Sequence, residues 1–298
     1  MALSSAFPLA SPAARQPIGV FDSGIGGLSI LQALRAELPH EDFVYLADSG
    51  HAPYGERGDD FVIARSLAIT DYLVRTHGIK ALVVACNTAT AAAIVALRER
   101  HPTLGFIGVE PALKPAALLS RTKRIGVVAT RGTLASGKFL RLRDTLAAQA
   151  DFVLQPCPGL ALALEQSVTI AADDPPAQQQ SQQHIAHLVA HNLAEMGSFG
   201  TADGQIDTLV LGCTHYPFAR DAFLASAGPA VQLLETGEPV ARQTRRLLEA
   251  AHLLRQPSPD LAGTLTLLTT GGPQALQQAA ATWLRLPQAQ ATGLDIAA

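Results

Sequence analysis

Short apolar, β-branched runs alternate with helix-length amphipathic segments along the whole chain, and that alternation limits the fold more than any single motif does. Candidate strands fall at 18–21, 43–47, 81–85, 105–109, 124–129, 152–155, 208–211, 232–234 and 264–268. Candidate helices cover 28–37, 61–77, 90–100, 137–148, 179–196, 239–254 and 273–285. Near-continuous apolar strands joined through helices form parallel sheets covered on both faces. With 298 residues there is room for two units, each with its own core. The expected fold is α/β, two doubly wound parallel-sheet domains, and ligands in such folds collect beyond the carboxyl ends of the strands. Turn or loop chemistry is expected at 173–176, 198–205 and 255–263, and the Gln-rich stretch 178–183 reads as a solvated helix face.

Composition narrows the function. The chain is 48% hydrophobic and only 16% charged, as in a globular enzyme rather than a disordered chain. A formal charge of -3 supplies no electrostatic reason for nucleic acid or an anionic membrane as partner. No apolar run has the length of a membrane span. Residues 1–17 make a poor signal peptide, with no early cation and with Pro8 and Pro12 interrupting the apolar stretch. They are expected to be a flexible extension of a cytoplasmic protein.

Three cysteines, Cys86, Cys157 and Cys213, lie far apart, and no CxxC pair occurs, so no zinc or disulfide framework is indicated. Each thiol is then either a small buried hydrophobe or a reactive group. Two of them share a plan. Leu82-Val83-Val84-Ala85-Cys86-Asn87-Thr88 and Leu209-Val210-Leu211-Gly212-Cys213-Thr214-His215 each run from an apolar strand through a small residue to Cys and then to polar residues. Two similar units facing each other would bring both thiols to one cleft. Cys157, bracketed by Pro156 and Pro158, is expected to be structural.

Other motifs fail on inspection. The turn Asp22-Ser23-Gly24-Ile25-Gly26-Gly27 lacks the Lys of a Walker loop, and Ser29 occupies the third glycine position of a dinucleotide fingerprint. It is either a tight strand-to-helix connection or a cradle of N–H groups for a small anion such as a carboxylate. A phosphatase loop at Cys213 would place Arg at position 219, where Ala219 stands. His51, His77, His101 and His252 have no surrounding pattern and are assigned to packing or surface.

Together the motifs resemble bacterial glutamate racemase, of the aspartate/glutamate racemase superfamily. The resemblance rests on Gly19-Val20-Phe21-Asp22-Ser23-Gly24-Ile25-Gly26-Gly27-Leu28, Pro53-Tyr54-Gly55 and Ala85-Cys86-Asn87-Thr88-Ala89. It continues through Gly108-Val109-Glu110-Pro111, Ala129-Thr130-Arg131-Gly132-Thr133 and Leu211-Gly212-Cys213-Thr214-His215-Tyr216-Pro217. It implies two α/β domains with the active site between them, the first of 18–112 plus 237–298 and the second of 113–236. The chain departs from the family at Glu235, where an Asp is common, and in the length of 198–205.

By the same resemblance, L- and D-glutamate would be interconverted for peptidoglycan synthesis without a cofactor or metal. Cys86 would deprotonate D-glutamate and Cys213 L-glutamate. Asp22 would support Cys86 and also meet the substrate ammonium. His215 would support Cys213, oriented by Glu165. The substrate carboxylates would rest on backbone N–H groups and on Ser23, Tyr54, Gly55, Asn87, Thr88, Thr130, Thr133 and Thr214, with Pro53 and His215 also binding the substrate. Aspartate racemase is the nearest alternative, and a cleft kept only for binding is the alternative from another class. A homodimer is expected, and the N-terminal extension resembles that of members activated by the nucleotide precursor UDP-MurNAc-L-alanine, which leaves such activation open here. A second role such as gyrase inhibition is known among family members.

Overall fold

The computed structural model describes residues 12–170, 173–257 and 262–297. In chain order the elements are β1 (Ile18–Asp22), α1 (Leu28–Glu37), β2 (Phe43–Ala47), α2 (Asp59–His77), β3 (Ala81–Val84), α3 (Asn87–Arg100), β4 (Gly105–Gly108), α4 (Leu113–Leu119), β5 (Arg124–Ala129), α5 (Arg131–Ala135) and α6 (Gly137–Leu146). There follow β6 (Asp151–Pro156), α7 (Leu160–Ser167), α8 (Pro175–Ala194), β7 (Thr208–Leu211), α9 (Arg220–Ala227), β8 (Gln232–Leu234), α10 (Gly237–Ala250), β9 (Leu265–Thr269), α11 (Pro273–Trp283) and β10 (Ala291–Gly293).

The strands form two wholly parallel sheets. The larger has the order β10-β9-β2-β1-β3-β4 and the smaller β6-β5-β7-β8. The fold is therefore the α/β arrangement that the alternation predicts. The larger sheet takes strands from both ends of the chain, and the smaller comes from one continuous stretch.

The central strands of each sheet are buried on both faces, and the period-2 alternation of side chains divides them between two cores. On β1, Ile18 and Val20 enter one apolar cluster and Phe21 another. On β3 and its extension, Ala81, Val83 and Ala85 face the first, while Leu82, Val84 and Cys86 face the second. The smaller sheet repeats the scheme, with Leu209, Leu211 and Cys213 in one cluster and Val210 in the other. Each reactive-position cysteine is thus the next residue in register on the face that a strand already buries.

Several elements differ from the sequence expectation. Helix α3 begins at Asn87, earlier than expected, because Cys86 itself caps it. Helix α8 begins at Pro175 inside the expected turn 173–176. Asp174 accepts from the Ala177 N–H at 3.0 Å, and Pro175 takes the first position, where its missing N–H costs nothing. Part of the expected flexible extension is ordered: Pro12–Arg15 form a 3-10 turn with Ala14 buried. The reason is the ammonium of Lys80, which is buried and donates to the carbonyl of Ala14 (2.7 Å), Glu41 Oε2 (2.5 Å) and the carbonyl of Leu253 (3.0 Å). A buried –NH3⁺ needs all three acceptors, and the segment before β1 supplies one. Residues 1–11 of that extension lie outside the described residues, as do 258–261 of the expected loop 255–263.

Candidate active site

The carboxyl ends of β1 and β3 in one sheet, and of β5, β6 and β7 in the other, open on a single cavity of about 350 Å³, within the usual size range of small-molecule sites. Both Cys86 and Cys213 line it.

Cys86 lies two residues past β3 in extended conformation at the N-cap position of α3, and its sulfur accepts the N–H of Ala89 at 3.4 Å. Its thiol also reaches Ser23 Oγ at 3.6 Å. Burial pushes its pKa up to about 12; the neighbouring Asp22 adds to the rise, and the Ala89 and Ser23 contacts oppose it. At neutral pH this sulfur is a thiol. Helix α3 is pinned by Thr90, whose hydroxyl donates to the carbonyl of Val84 at 3.1 Å and accepts the Val109 N–H at 3.0 Å, fixing Cys86 between two strand ends.

Cys213 follows β7, and its sulfur lies 3.8 Å from His215 Nδ1. The other imidazole nitrogen, Nε2, is 2.8 Å from Glu165 Oε1. Burial works against charge on His215, but the bonds to Cys213 and Glu165 prevail and hold its pKa well above the ordinary value. Its two ring nitrogens thus face the Cys213 sulfur on one side and the Glu165 carboxylate on the other. Glu165, from α7, also accepts the Ile25 N–H of the first glycine-rich turn at 2.8 Å. That turn needs its glycines here: a Cβ on Gly26 would lie 2.2 Å from His215 Nδ1, and one on Gly24 would lie 1.9 Å from Glu165 Oε1.

Asp22 is fully buried behind this turn. Its Oδ2 accepts the Gly27 N–H at 2.7 Å, and Oδ1 has no hydrogen-bond partner. Burial raises its pKa to about 6, with the His215 charge pulling the other way. The lining also holds a hydroxyl chain in which Thr88 Oγ1 is 3.3 Å from Thr130 Oγ1, which donates to Thr133 Oγ1 at 3.0 Å. Asn87 is buried, with both side-chain polar atoms unpartnered. Among the described residues no group of three or more His, Cys, Asp or Glu is placed to hold a metal ion.

The profile of the Asp/Glu/hydantoin racemase family matches residues 28–244. The glutamate racemase of Ectopseudomonas mendocina is 45% identical over 238 residues, covering 80% of this chain and 84% of that protein. The chain belongs to the glutamate racemases of this family. Two solved structures extend the likeness. Glutamate racemase isoform RacE1 from Bacillus anthracis superposes with a TM-score of 0.80 at 28% identity, over 95% of this chain and 98% of that one. The Escherichia coli glutamate racemase, solved with L-glutamate and the activator UDP-MurNAc-ala, gives 0.76 at 26% identity, over 95% and 100%.

In this racemase the cavity is lined by Ser23, Pro53, Tyr54, Gly55, Cys86, Asn87, Thr88, Thr130, Thr133, Glu165, Cys213, Thr214 and His215, all named from the sequence motifs. Asp22 is the one named residue that does not line it. Tyr54 contributes surface, but its hydroxyl is committed to Asp48 at 2.5 Å. Lining residues that the sequence did not assign to the site include Ser49, Glu56, Arg131, Leu162 and Gly212. Cys157, expected to be structural, also lines the wall; burial, reinforced by Cys213, pushes its thiol up to about 12. Its place after β6 was the available signal, since ligands gather at strand carboxyl ends. Glu235, the departure from the family pattern, pairs with Arg220 at 2.7 Å. No helix among the described residues is long and apolar enough to cross a membrane.

Proposed function

We propose that this chain interconverts L- and D-glutamate in the cytoplasm without a cofactor, using Cys86 and Cys213 as two acid/base groups on opposite faces of the substrate, and so supplies D-glutamate for peptidoglycan. The observation that carries this reading is the pair of thiols, delivered by two separate sheets to one small cavity, each with its own polar partner. The two units would divide as 18–112 with 237–298 and 113–236, the cleft lying between them.

Racemisation takes a proton from Cα on one face and returns one on the other. With L-glutamate bound, Cys213 removes the Cα proton while the His215 imidazolium keeps positive charge beside the sulfur. Cys86, held as a thiol, donates to the other face. The roles reverse for D-glutamate, where Cys86 must be ionised first. Ser23 and the Ala89 N–H then stabilise the thiolate, and Asp22 sets its basicity through its field. Two ionised sulfurs in one cleft repel, which keeps one thiol and one thiolate present at a time. The substrate carboxylates fit the N-terminal turn of α3, where Asn87 has free polar atoms, and the Thr88-Thr130-Thr133 hydroxyls. Stabilising the carbanionic transition state falls to these fixed dipoles.

The test is exchange of the Cα proton in deuterated water, begun separately from each enantiomer. The expected result is solvent deuterium in the product of both directions, with loss of racemisation in Cys86→Ser and in Cys213→Ser. Full racemisation by Cys213→Ser would sink the two-thiol mechanism. Parallel assays with aspartate, and with UDP-MurNAc-L-alanine, test the substrate choice and nucleotide activation, and sedimentation tests the homodimer.

A further inference from the structure

Ser29 is the residue that breaks the dinucleotide fingerprint of the first glycine-rich turn, and the chemistry above does not use it. It lies in the first turn of α1, on the larger sheet's side of the cleft. Its hydroxyl is nevertheless 2.8 Å from the carbonyl oxygen of Thr214, across the cleft, and 2.9 Å from that of Gly26 in its own turn. A hydroxyl has one proton to donate, so the two carbonyls share it. The Thr214 carbonyl belongs to the peptide that joins Thr214 to His215, and Cys213 is the residue before it.

Two neighbouring contacts aim the same way. The Ile25 N–H holds the Glu165 carboxylate that orients His215, and Gly26 lies directly against the imidazole ring. At the other end of the turn, Ser23 touches the Cys86 sulfur. One short segment, 23–29, therefore contacts the support of both sulfurs, and among the described residues Ser29 makes its side-chain hydrogen bond to the Cys213 loop.

We propose that Ser29 is a positioning residue for the racemase reaction: by holding the Thr214–His215 peptide across the cleft, it sets how Cys213 meets the substrate Cα. The inference rests on the two-thiol reading and adds to it the part that fixes the distance between the two sulfurs. Sub-ångström misplacement of a base is costly to a proton transfer. Loss of the hydroxyl therefore slows the step that passes through Cys213 and leaves the Cys86 step less affected. Every turnover uses both sulfurs, so kcat falls in both directions.

The experiment compares native enzyme, Ser29→Ala and Ser29→Thr, with Cys213→Ser as a reference, using L- and D-glutamate carrying protium or deuterium at Cα. Ser29→Ala is expected to lose about tenfold or more in kcat, with KM nearly unchanged, and Ser29→Thr to recover most of it. The primary isotope effect should rise for the enantiomer that Cys213 deprotonates, L-glutamate in this reading, and fall for the other. Isotope effects are ratios and do not respond to the fraction folded, so a merely structural role would move neither. Unchanged kcat in Ser29→Ala, or lower kcat with both isotope effects unmoved, overturns the proposal. If Cys213→Ser racemises normally, the two-thiol reading itself has failed. If Cys213→Ser is inactive while Ser29→Ala is normal, only the Ser29 inference falls.

Discussion

The phenol of Tyr54 donates to the buried carboxylate of Asp48 at 2.5 Å, and Arg65 binds the same carboxylate through Nε at 3.0 Å and Nη2 at 2.7 Å. Arg65 also donates to the carbonyl of Ile296, and Thr270 to Asp48, so the cavity wall at 53–55 is tied to the last strands of the chain. Tyr54→Phe should therefore leave KM for glutamate within about threefold, because the hydroxyl's one proton is already committed to Asp48. It should cost about 1.5–3 kcal/mol of stability, the usual value of a hydrogen bond to a charged group. Asp48→Ala should cost about 3–5 kcal/mol by stranding the buried guanidinium. Urea unfolding with steady-state kinetics on the same samples checks both, and a large KM rise in Tyr54→Phe would return its hydroxyl to the substrate.

Asp22 stores a functional cost that pH can reveal. Its pKa is raised from 3.8 to about 6, which at about 1.4 kcal/mol per unit amounts to about 3 kcal/mol. The folded state binds the proton more tightly than the unfolded chain, so this group's contribution to stability falls as pH rises from 3.8 to 6 and is fully unfavourable above that window. In Asp22→Asn the amide oxygen can keep the Gly27 N–H bond. That variant should be more stable than the native chain at pH 7.5 by up to about 3 kcal/mol, with the advantage shrinking toward pH 4, while racemisation drops. Unfolding curves at both pH values decide the point; an advantage independent of pH contradicts it.

Cys86 should behave as a silent thiol in the free enzyme. With its pKa pushed up to about 12, alkylation by iodoacetamide, followed by mass spectrometry at Cys86, should still be climbing at pH 10. A plateau near the ordinary thiol range of about 8.5 would contradict the buried, Asp22-facing setting described above.

Gly26 is constrained by its neighbour rather than by its backbone, which does not need a left-handed conformation. Gly26→Ala places a methyl where the His215 ring lies. The expected loss in kcat is on the order of a hundredfold, with about 1–3 kcal/mol of destabilisation. Gly159→Ala, by contrast, meets no atom within 4 Å but is strained by its φ of +77°, so it should lower stability by about 1 kcal/mol with little direct effect on His215.

Most of the sheet was legible because parallel strands buried on both faces read as unbroken apolar runs, and β2, β5, β7 and β8 fall at the expected residues. β10 was not, since Ala291–Gly293 is a short, largely exposed edge strand with no apolar pattern. Helix α7 was hidden by Leu160-Ala161-Leu162-Ala163-Leu164, whose alternation mimics a strand. The start of α3 was placed three residues late because Asn87 and Thr88 are poor helix-interior residues, yet they suit a first turn capped by the preceding sulfur. In the site, the motif blocks supplied the cavity lining but not the orientation of side chains. A sequence names Tyr54 without saying that its hydroxyl belongs to Asp48, and names Asp22 without saying that it stands behind the wall.

The larger sheet is assembled from both ends of the chain, and this orders events on the ribosome. β2 keeps an open edge until β9 emerges, whereas the strands β5 to β8 are all available before then. The half that carries Cys213 can reach its final shape while the half that carries Cys86 still waits for its partner strands. A nascent chain would then hold one finished thiol site facing an unfinished one, and competence for turnover would arrive late and all at once.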